Sequence, residues 1–104
     1  MGPWVVTADE VPNPHALKVY CWHKGELIAE DSTAYMNYKA NEIIKFISRY
    51  QTLEPGDVIS LGTAFRPQHG SKRSLHLANL TRLGGPVSVE IEGIGRLENP
   101  VTCL

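Results

Sequence analysis

A threonine stands directly after a glycine at the end of an apolar segment, where its hydroxyl and backbone N–H could bind an anionic group. The segment covers residues 52–63 and reads TLEPGDVISLGT. Pro55 and Gly56 predict a tight turn, because proline presets φ at the first central position and glycine allows positive φ at the second. The apolar residues after the turn predict a short strand. Gly62 lets the backbone bend there and present Thr63, although the same pattern also fits an ordinary turn that leads into a core strand.

A second candidate for anion binding is the basic segment from Phe65 to Leu83. No Asp or Glu lies between Asp57 and Glu90, and the basic residues of the segment include Arg66, Lys72, Arg73 and Arg82, with His69 and His76 among them. Positive charge without a counter-charge could attract a carboxylate or a phosphate. A solvated surface loop would have the same composition. The two histidines lack metal-ligand spacing and have no neighbouring Cys or acid, so we predict no metal site here.

Two pairs of carboxylates could act as acid–base groups or metal ligands. Asp9 and Glu10 are adjacent in the sequence, and Glu90 and Glu92 share one face of a predicted strand. A solvated surface explains each pair equally well. Magnesium and manganese require several converging oxygen ligands, and no spacing among the acidic residues predicts such convergence. We therefore predict no catalytic residue and no metal site within the chain.

Composition predicts a single soluble globular domain over residues 1–104. Hydrophobic residues make up 42%, charged residues 20%, and the formal net charge is −1. This charge balance gives no reason to expect binding to nucleic acid or to a membrane, and no apolar run approaches the roughly 20 residues of a spanning helix. No signal-peptide pattern opens the chain. Cys21 and Cys103 form no CxxC motif, which favours reduced thiols and a cytoplasmic location.

The elements that must position these residues are two hairpins and one helix. The segment Trp4–Thr7 is strand-like and precedes a proline-containing loop. The first hairpin is predicted over residues 16–30 with its turn at Lys24-Gly25, and the second over residues 86–101 with its turn at 93–95. Alternation in the second hairpin places three residues inward and three outward: Val87, Val89 and Ile91 inward, and Ser88, Glu90 and Glu92 outward.

The clearest helix runs from Lys39 to Tyr50. Ala40, Ile43, Ile44 and Ile47 recur at the spacing of one helical face, and Phe46 and Tyr50 widen that apolar stripe. We expect this amphipathic helix to cover a sheet.

Four stretches of the chain occur in the same order as in the C-terminal part of the fumarylacetoacetate hydrolase superfamily, which the chain therefore resembles. They are GPWVVTADEVP (residues 2–12), KGE (24–26) with Thr33 and Met36, LEPGDVI (53–59) with Gly62 and Thr63, and VEIEGIG (89–95) with NPV (99–101). The most similar branch includes bacterial acylpyruvate hydrolases, 2-hydroxyhepta-2,4-diene-1,7-dioate isomerases and related oxaloacetate decarboxylases.

The resemblance implies a mixed, mainly β fold with one amphipathic helix, forming part of a β-sandwich roll. It also implies metal-dependent chemistry, with Mg or Mn, on β-keto acids of the acylpyruvate type. Thr63 matches the threonine that contacts the substrate carboxylate in the family, and Gly62 and the Gly2-Pro3 corner flank the same pocket. The chain departs from the family pattern at Ala64 and Ala29, where proline and glutamine are usual.

The family's metal-binding carboxylates and catalytic lysine precede the Gly2-Pro3 corner, so the resemblance implies a truncated, non-catalytic domain. Such a domain would expose apolar surface and associate with itself, first as a dimer. Trp4, Trp22 and Phe65 are candidates for that interface. The alternative is one part of an enzyme that carries its metal ligands on another segment and binds a small carboxylate at Thr63. A third possibility is an anion-binding module that uses Arg66, Lys72 and Arg73.

Overall fold

The main element is a four-stranded antiparallel sheet in a computed structural model that describes residues 2–63 and 79–102. The strands are β1 (Lys18–His23), β2 (Glu26–Ser32), β3 (Val87–Ile91) and β4 (Gly95–Asn99). They are arranged in the order β2-β1-β3-β4. Both predicted hairpins are therefore confirmed, and they join into one sheet through the pairing of β1 with β3.

The β1–β2 hairpin turns at the predicted residues. Lys24 and Gly25 both have positive φ, at 52° and 80°, which is the pattern of a two-residue type I′ turn. The register shifts by one residue between Cys21 and Trp22, so the extra residue on β2 is Ile28. Ile28 and its neighbour Ala29 are the buried apolar side chains of the described chain, with exposed fractions of 2% and 7%.

The burial pattern of β3 differs from the prediction. Ser88, expected outward, is only 2% exposed, whereas Val89, expected inward, is 40% exposed. Ser88 is buried because Arg96 and Glu98 of β4 cover it: its hydroxyl donates to Glu98 Oε2 at 2.6 Å and accepts from Arg96 Nη2 at 3.1 Å. Strict alternation identifies the two faces of a strand, but the covering layer decides which face is buried.

Two α-helices are described. Helix α1 spans Ala40–Ile47, inside the predicted range, and helix α2 spans Leu80–Leu83. At the start of α1 the Lys39 backbone N–H donates to Glu42 Oε2 at 2.7 Å. This contact is one half of a capping box, and the other half is missing because a lysine side chain carries no acceptor for the N–H of Glu42.

The expectation that α1 covers the sheet is wrong for the described residues. The helix makes no extensive contact with any strand, and Ile47 instead borders a cleft together with Leu53 and Ile59. Phe46 and Tyr50 remain 61% and 78% exposed, with their rings 5.3 Å apart. Half of the apolar stripe that the sequence places on this helix, Ile44, Phe46 and Tyr50, therefore lies exposed.

The turn at Pro55-Gly56 is confirmed, but the strand predicted after it is not. Asp57 N–H donates to the Glu54 carbonyl at 3.0 Å, and Gly56 has φ of 101°. Residues 58–61 pair with none of the described strands, and Val58 is 67% exposed. A strand needs a hydrogen-bonded neighbour, which an apolar run alone does not specify.

The segment at residues 4–7 also forms no strand, and instead Trp4 packs against the β3–β4 turn. The indole Nε1 of Trp4 donates to the Ile94 carbonyl at 2.7 Å. A Cβ atom on Gly95 would lie 2.6 Å from Trp4 Cζ2, and Gly95 has φ of 136°. Glycine at this position therefore satisfies both the backbone conformation and the close approach of the indole.

The described elements form a mainly β structure with one amphipathic helix, which confirms the predicted fold class. Within the described ranges, no helix has the length and apolarity that crossing a bilayer requires.

Replacing Gly95 by alanine tests the contact with Trp4. We expect Gly95→Ala to lower the free energy of unfolding by about 1–3 kcal/mol, because the new methyl group overlaps the indole. Urea denaturation followed by circular dichroism measures this. Gly93→Ala is the matched control, since Gly93 has φ of 76° but open space around its Cβ position. An equal loss of unfolding free energy in the two variants would contradict the proposed contact. So would a Gly95→Ala effect that stays as large when Trp4 is already replaced by alanine.

The Ser88–Glu98 contact predicts a pH dependence of stability. The Ser88 hydroxyl, and secondarily Arg96, hold the pKa of the Glu98 carboxyl below its usual value. A lowered pKa stabilises the folded state above the unfolded pKa, and this contribution is lost as the pH falls through the folded pKa. In Ser88→Ala we expect the Glu98 pKa to rise and the loss of stability between about pH 7 and about pH 3 to be smaller. Carboxyl NMR titration and urea denaturation measure both, and an unchanged Glu98 pKa would refute the assignment.

Candidate functional site

The predicted residues Gly62 and Thr63 border a cavity of about 460 Å³. This volume lies within the range of about 300–1,000 Å³ that is typical of small-molecule sites. The end of β2, the loop that follows it and Ile43 of α1 contribute the other lining residues. The lining residues are Asp31, Ser32, Tyr35, Met36, Asn37, Tyr38, Ile43, Leu61, Gly62 and Thr63.

The glycine before Thr63 sets the direction of the backbone at the cavity. Gly62 has φ of 92°, a conformation that residues with a Cβ rarely adopt. No described residue beyond its chain neighbours has an atom within 4 Å of the position its Cβ would occupy, so among these residues the conformation rather than the space requires glycine. Thr63 follows with an exposed side chain. The predicted presentation of a threonine by a glycine bend is therefore present, although it follows a loop and not a strand.

Hydrogen bonds hold the loop between β2 and α1, residues 33–38, in a defined position. The Thr33 hydroxyl donates to the Pro14 carbonyl at 2.8 Å and accepts from the Leu17 N–H at 3.0 Å. The Thr33 N–H donates to the Leu17 carbonyl at 2.9 Å. From the other end, the Lys39 ammonium donates to the Ala34 carbonyl at 2.6 Å. These contacts tie the loop to the segment before β1 and to the start of α1, so the cavity wall has a defined backbone.

The lining of the cavity includes both polar and aromatic residues. Asp31 supplies the one carboxylate of the described lining, is 7% exposed, and accepts a hydrogen bond from the Ser32 N–H at 2.8 Å. Tyr35 and Tyr38 are 60% and 69% exposed and present phenol rings. The cavity thus combines hydroxyl and amide groups with an aromatic wall.

The described residues do not fit a complete divalent-metal site. Magnesium and manganese take several oxygen ligands, and carboxylates usually supply most of the protein's share. Asp31 alone supplies a carboxylate at this cavity. Across residues 2–63 and 79–102, no three His, Cys, Asp or Glu side chains lie close enough to hold a metal ion. We therefore derive no chemical step through a metal from these residues.

Neither predicted carboxylate pair belongs to the described lining of the cavity at Thr63. Glu90 and Glu92 border a separate open cleft at the β3–β4 turn, together with Tyr20 and Arg96. Asp9 and Glu10 lie in an exposed 3₁₀ turn. The side chain of Thr7 lowers the pKa of Asp9 by hydrogen bonding, which is a local contact within that turn. Neither pair shares a cavity with the Gly62-Thr63 bend.

Several predicted residues lie outside the part of the chain that the structure describes, so their placement stays a prediction: Ala64, Phe65, Arg66, His69, Lys72, Arg73, His76 and Cys103. Conversely, the sequence analysis did not select Asp31, Tyr35, Asn37 or Tyr38 as site residues. The available signal was their position around Thr33 and Met36, which belong to one of the four matching stretches.

Comparison with known proteins identifies the family. Residues 1–102 match the family model described as fumarylacetoacetate (FAA) hydrolase C-terminal. The chain is 39% identical over 101 residues to the bovine mitochondrial oxaloacetate tautomerase FAHD2B, covering 97% of this chain and 31% of that relative. It is 35% identical over 103 residues to the 4-hydroxyphenylacetate degradation bifunctional isomerase/decarboxylase of Salmonella dublin, covering 99% of this chain and 21% of that relative.

A solved structure shows the same fold. The crystal structure of maleylpyruvate hydrolase from Sphingobium sp. SYK-6 in complex with manganese(II) and pyruvate superimposes with a TM-score of 0.77 at 27% identity. The match covers 97% of this chain and 34% of that one. The chain thus spans between about a fifth and about a third of the length of each of these proteins. The family match over residues 1–102 shows that the chain belongs to the fumarylacetoacetate hydrolase family, in the region of its C-terminal domain.

Proposed function

We propose that this chain binds the carboxylate of a small 2-oxo acid at the Gly62-Thr63 bend. The observation that carries the proposal is the cavity of about 460 Å³, which is lined by these two residues and by residues 35–38 of the loop after β2. In this proposal the Thr63 hydroxyl and backbone N–H donate hydrogen bonds to the carboxylate. The glycine bend keeps the backbone open to the ligand. Thr63 also matches the carboxylate-contacting threonine of the family.

The activity of the relatives suggests the chemistry to which this binding contributes. Their names describe an oxaloacetate tautomerase, an isomerase/decarboxylase and a maleylpyruvate hydrolase, the last of these solved with manganese and pyruvate. We propose that the chain forms the carboxylate-binding wall of a metal-dependent hydrolase, isomerase or decarboxylase of β-keto acids. Its metal ligands would then lie in a segment other than the described residues, which supply one carboxylate at the cavity.

The cellular location and the partners of the chain are also proposals. Its composition favours the cytoplasm, and the bovine relative is named as mitochondrial. The partners we propose are a small carboxylate and a second copy of the chain.

Binding of oxalate and pyruvate tests the proposal at Thr63. We expect Thr63→Val to weaken oxalate binding on the order of tenfold, because valine keeps the size of the side chain and removes the hydrogen bond to a charged group. Thr63→Ser is the matched control and retains most of the affinity. Isothermal titration calorimetry measures both, with Mg²⁺ or Mn²⁺ and again with chelator. Equal affinity of wild type and Thr63→Val would remove the proposed role of the hydroxyl.

The two metal conditions separate the binding proposal from the catalytic one. Binding in chelator that disappears in Thr63→Val supports carboxylate binding by the chain's own residues. Binding that requires Mg²⁺ or Mn²⁺ would show that residues outside the described ranges complete a metal site. Absence of oxalate and pyruvate binding in both conditions would contradict the proposed function.

Self-association without catalysis is a second candidate function, and exposed apolar surface favours it. Ile44, Phe46 and Tyr50 of α1 are 47%, 61% and 78% exposed, and Val58 is 67% exposed. Apolar surface of this kind is often covered by another protein surface. In this proposal a second copy of the chain covers α1.

A charge placed on the exposed face of α1 tests the second candidate. We expect the wild-type chain to be a dimer in sedimentation equilibrium, and Phe46→Glu to weaken its association at least on the order of tenfold, because the carboxylate cannot be desolvated in an apolar interface. Lys45→Glu is the control, since it changes charge at an exposed polar position of the same helix. A monomeric wild type, or equal association of the two variants, would overturn this candidate.

A further inference from the structure

We propose that the aromatic wall formed by Tyr35 and Tyr38 makes the cavity selective for 2-oxo acids with an aromatic tail. This inference rests on the proposed carboxylate binding at Thr63, and it specifies the kind of group that the rest of the ligand carries. Both tyrosines line the cavity that Gly62 and Thr63 border. The remainder of a ligand held at Thr63 by its carboxylate therefore lies at a cavity that these tyrosines help to form.

Exposure and packing make the two tyrosines suitable for contact with a ring. Both residues are largely exposed, at 60% and 69%. Aromatic rings prefer offset or edge-to-face contact with other rings, which adds to the effect of area burial. Met36 lines the cavity beside them, and its thioether makes favourable contacts with aromatic rings. Leu61 and Ile43 complete an apolar border.

The backbone that carries the tyrosines is held in place before any ligand binds. Thr33 fastens the start of the loop to Pro14 and Leu17, and the Lys39 ammonium fastens it to the Ala34 carbonyl. The Ser32 hydroxyl accepts from the Ala34 N–H at 3.2 Å. Because the loop is already ordered, contact with a ligand costs chiefly the side-chain freedom of the tyrosines.

A second carboxylate on the ligand is a poor match for these side chains. Tyr35, Tyr38 and Met36 bring aromatic and apolar groups to the cavity. A carboxylate in contact with such groups loses part of its hydration, which costs free energy. An uncharged aromatic tail does not pay that cost.

Four 2-oxo acids that differ only in their tails test the inference by calorimetric titration of the 104-residue chain. We expect 2-oxo-4-phenylbutanoate to bind on the order of tenfold more tightly than 2-oxobutanoate. The aliphatic 2-oxooctanoate should bind less tightly than the phenyl compound, and 2-oxoglutarate should gain nothing over 2-oxobutanoate. Equal affinity of 2-oxooctanoate and the phenyl compound would overturn the aromatic preference, and so would tighter binding of 2-oxoglutarate.

Variants of the wall separate this inference from the proposed function. We expect Tyr35→Ala and Tyr38→Ala to lower the affinity for the phenyl compound more than the affinity for 2-oxobutanoate, and so to remove most of the preference for the phenyl compound. Tyr35→Phe and Tyr38→Phe should keep the preference, since the ring is retained. Tyr50→Ala is the matched control, because Tyr50 is an exposed tyrosine outside the cavity lining.

The outcomes distinguish the two proposals. Loss of 2-oxobutanoate binding in Thr63→Val together with an unchanged tail preference in both tyrosine variants would overturn this inference and leave the proposed function standing. Failure of all four acids to bind would overturn both.

Discussion

The described structure depends on the pairing of β1 with β3. Each hairpin is a local structure, and a two-stranded hairpin by itself is at best marginally stable in water. The antiparallel pairing from Val19↔Ile91 to His23↔Val87 joins segments almost 70 residues apart into one sheet. Backbone hydrogen bonds continue beyond both ends of the ladder, from Lys24 N–H to Pro86 O and from Glu92 N–H to Lys18 O. The buried His23 adds a contact between its Nε2 and the Gly84 carbonyl at 2.8 Å.

The candidate site depends on the same sheet. Strand β2 ends at Ser32, and the next residue, Thr33, is tied to Leu17 directly before β1. The loop that carries Tyr35 and Tyr38 therefore begins at a fixed point of the sheet. Thr63 follows the turn at Pro55-Gly56 and the bend at Gly62, whose conformations are set locally. The cavity is thus lined by a loop that is fixed to the sheet and by a segment whose direction is set by local bends.

The difference between local conformation and contact with neighbouring strands explains which features the sequence predicts. The turns at Lys24-Gly25 and Pro55-Gly56, and the bend at Gly62, follow from the conformational preferences of single residues and were predicted correctly. The strand at 58–61 and the inward face of β3 depend on what lies next to them, and the predictions there were wrong. For Ser88 the decisive neighbours are Arg96 and Glu98, which only the register of β4 brings above it.

Helix α1 links the cavity to the exposed apolar surface. Ile43 lines the cavity, Ile47 borders the neighbouring cleft, and Phe46 between them is 61% exposed. Because these residues belong to one amphipathic stripe, any surface that covers Phe46 also lies close to the border of the cavity. Excluding water there would strengthen the hydrogen bonds that we propose between Thr63 and a carboxylate, since the local dielectric falls. Coverage of the helix and ligand binding are therefore expected to favour each other, whether the covering surface comes from a second copy or from a segment like those that extend the longer relatives.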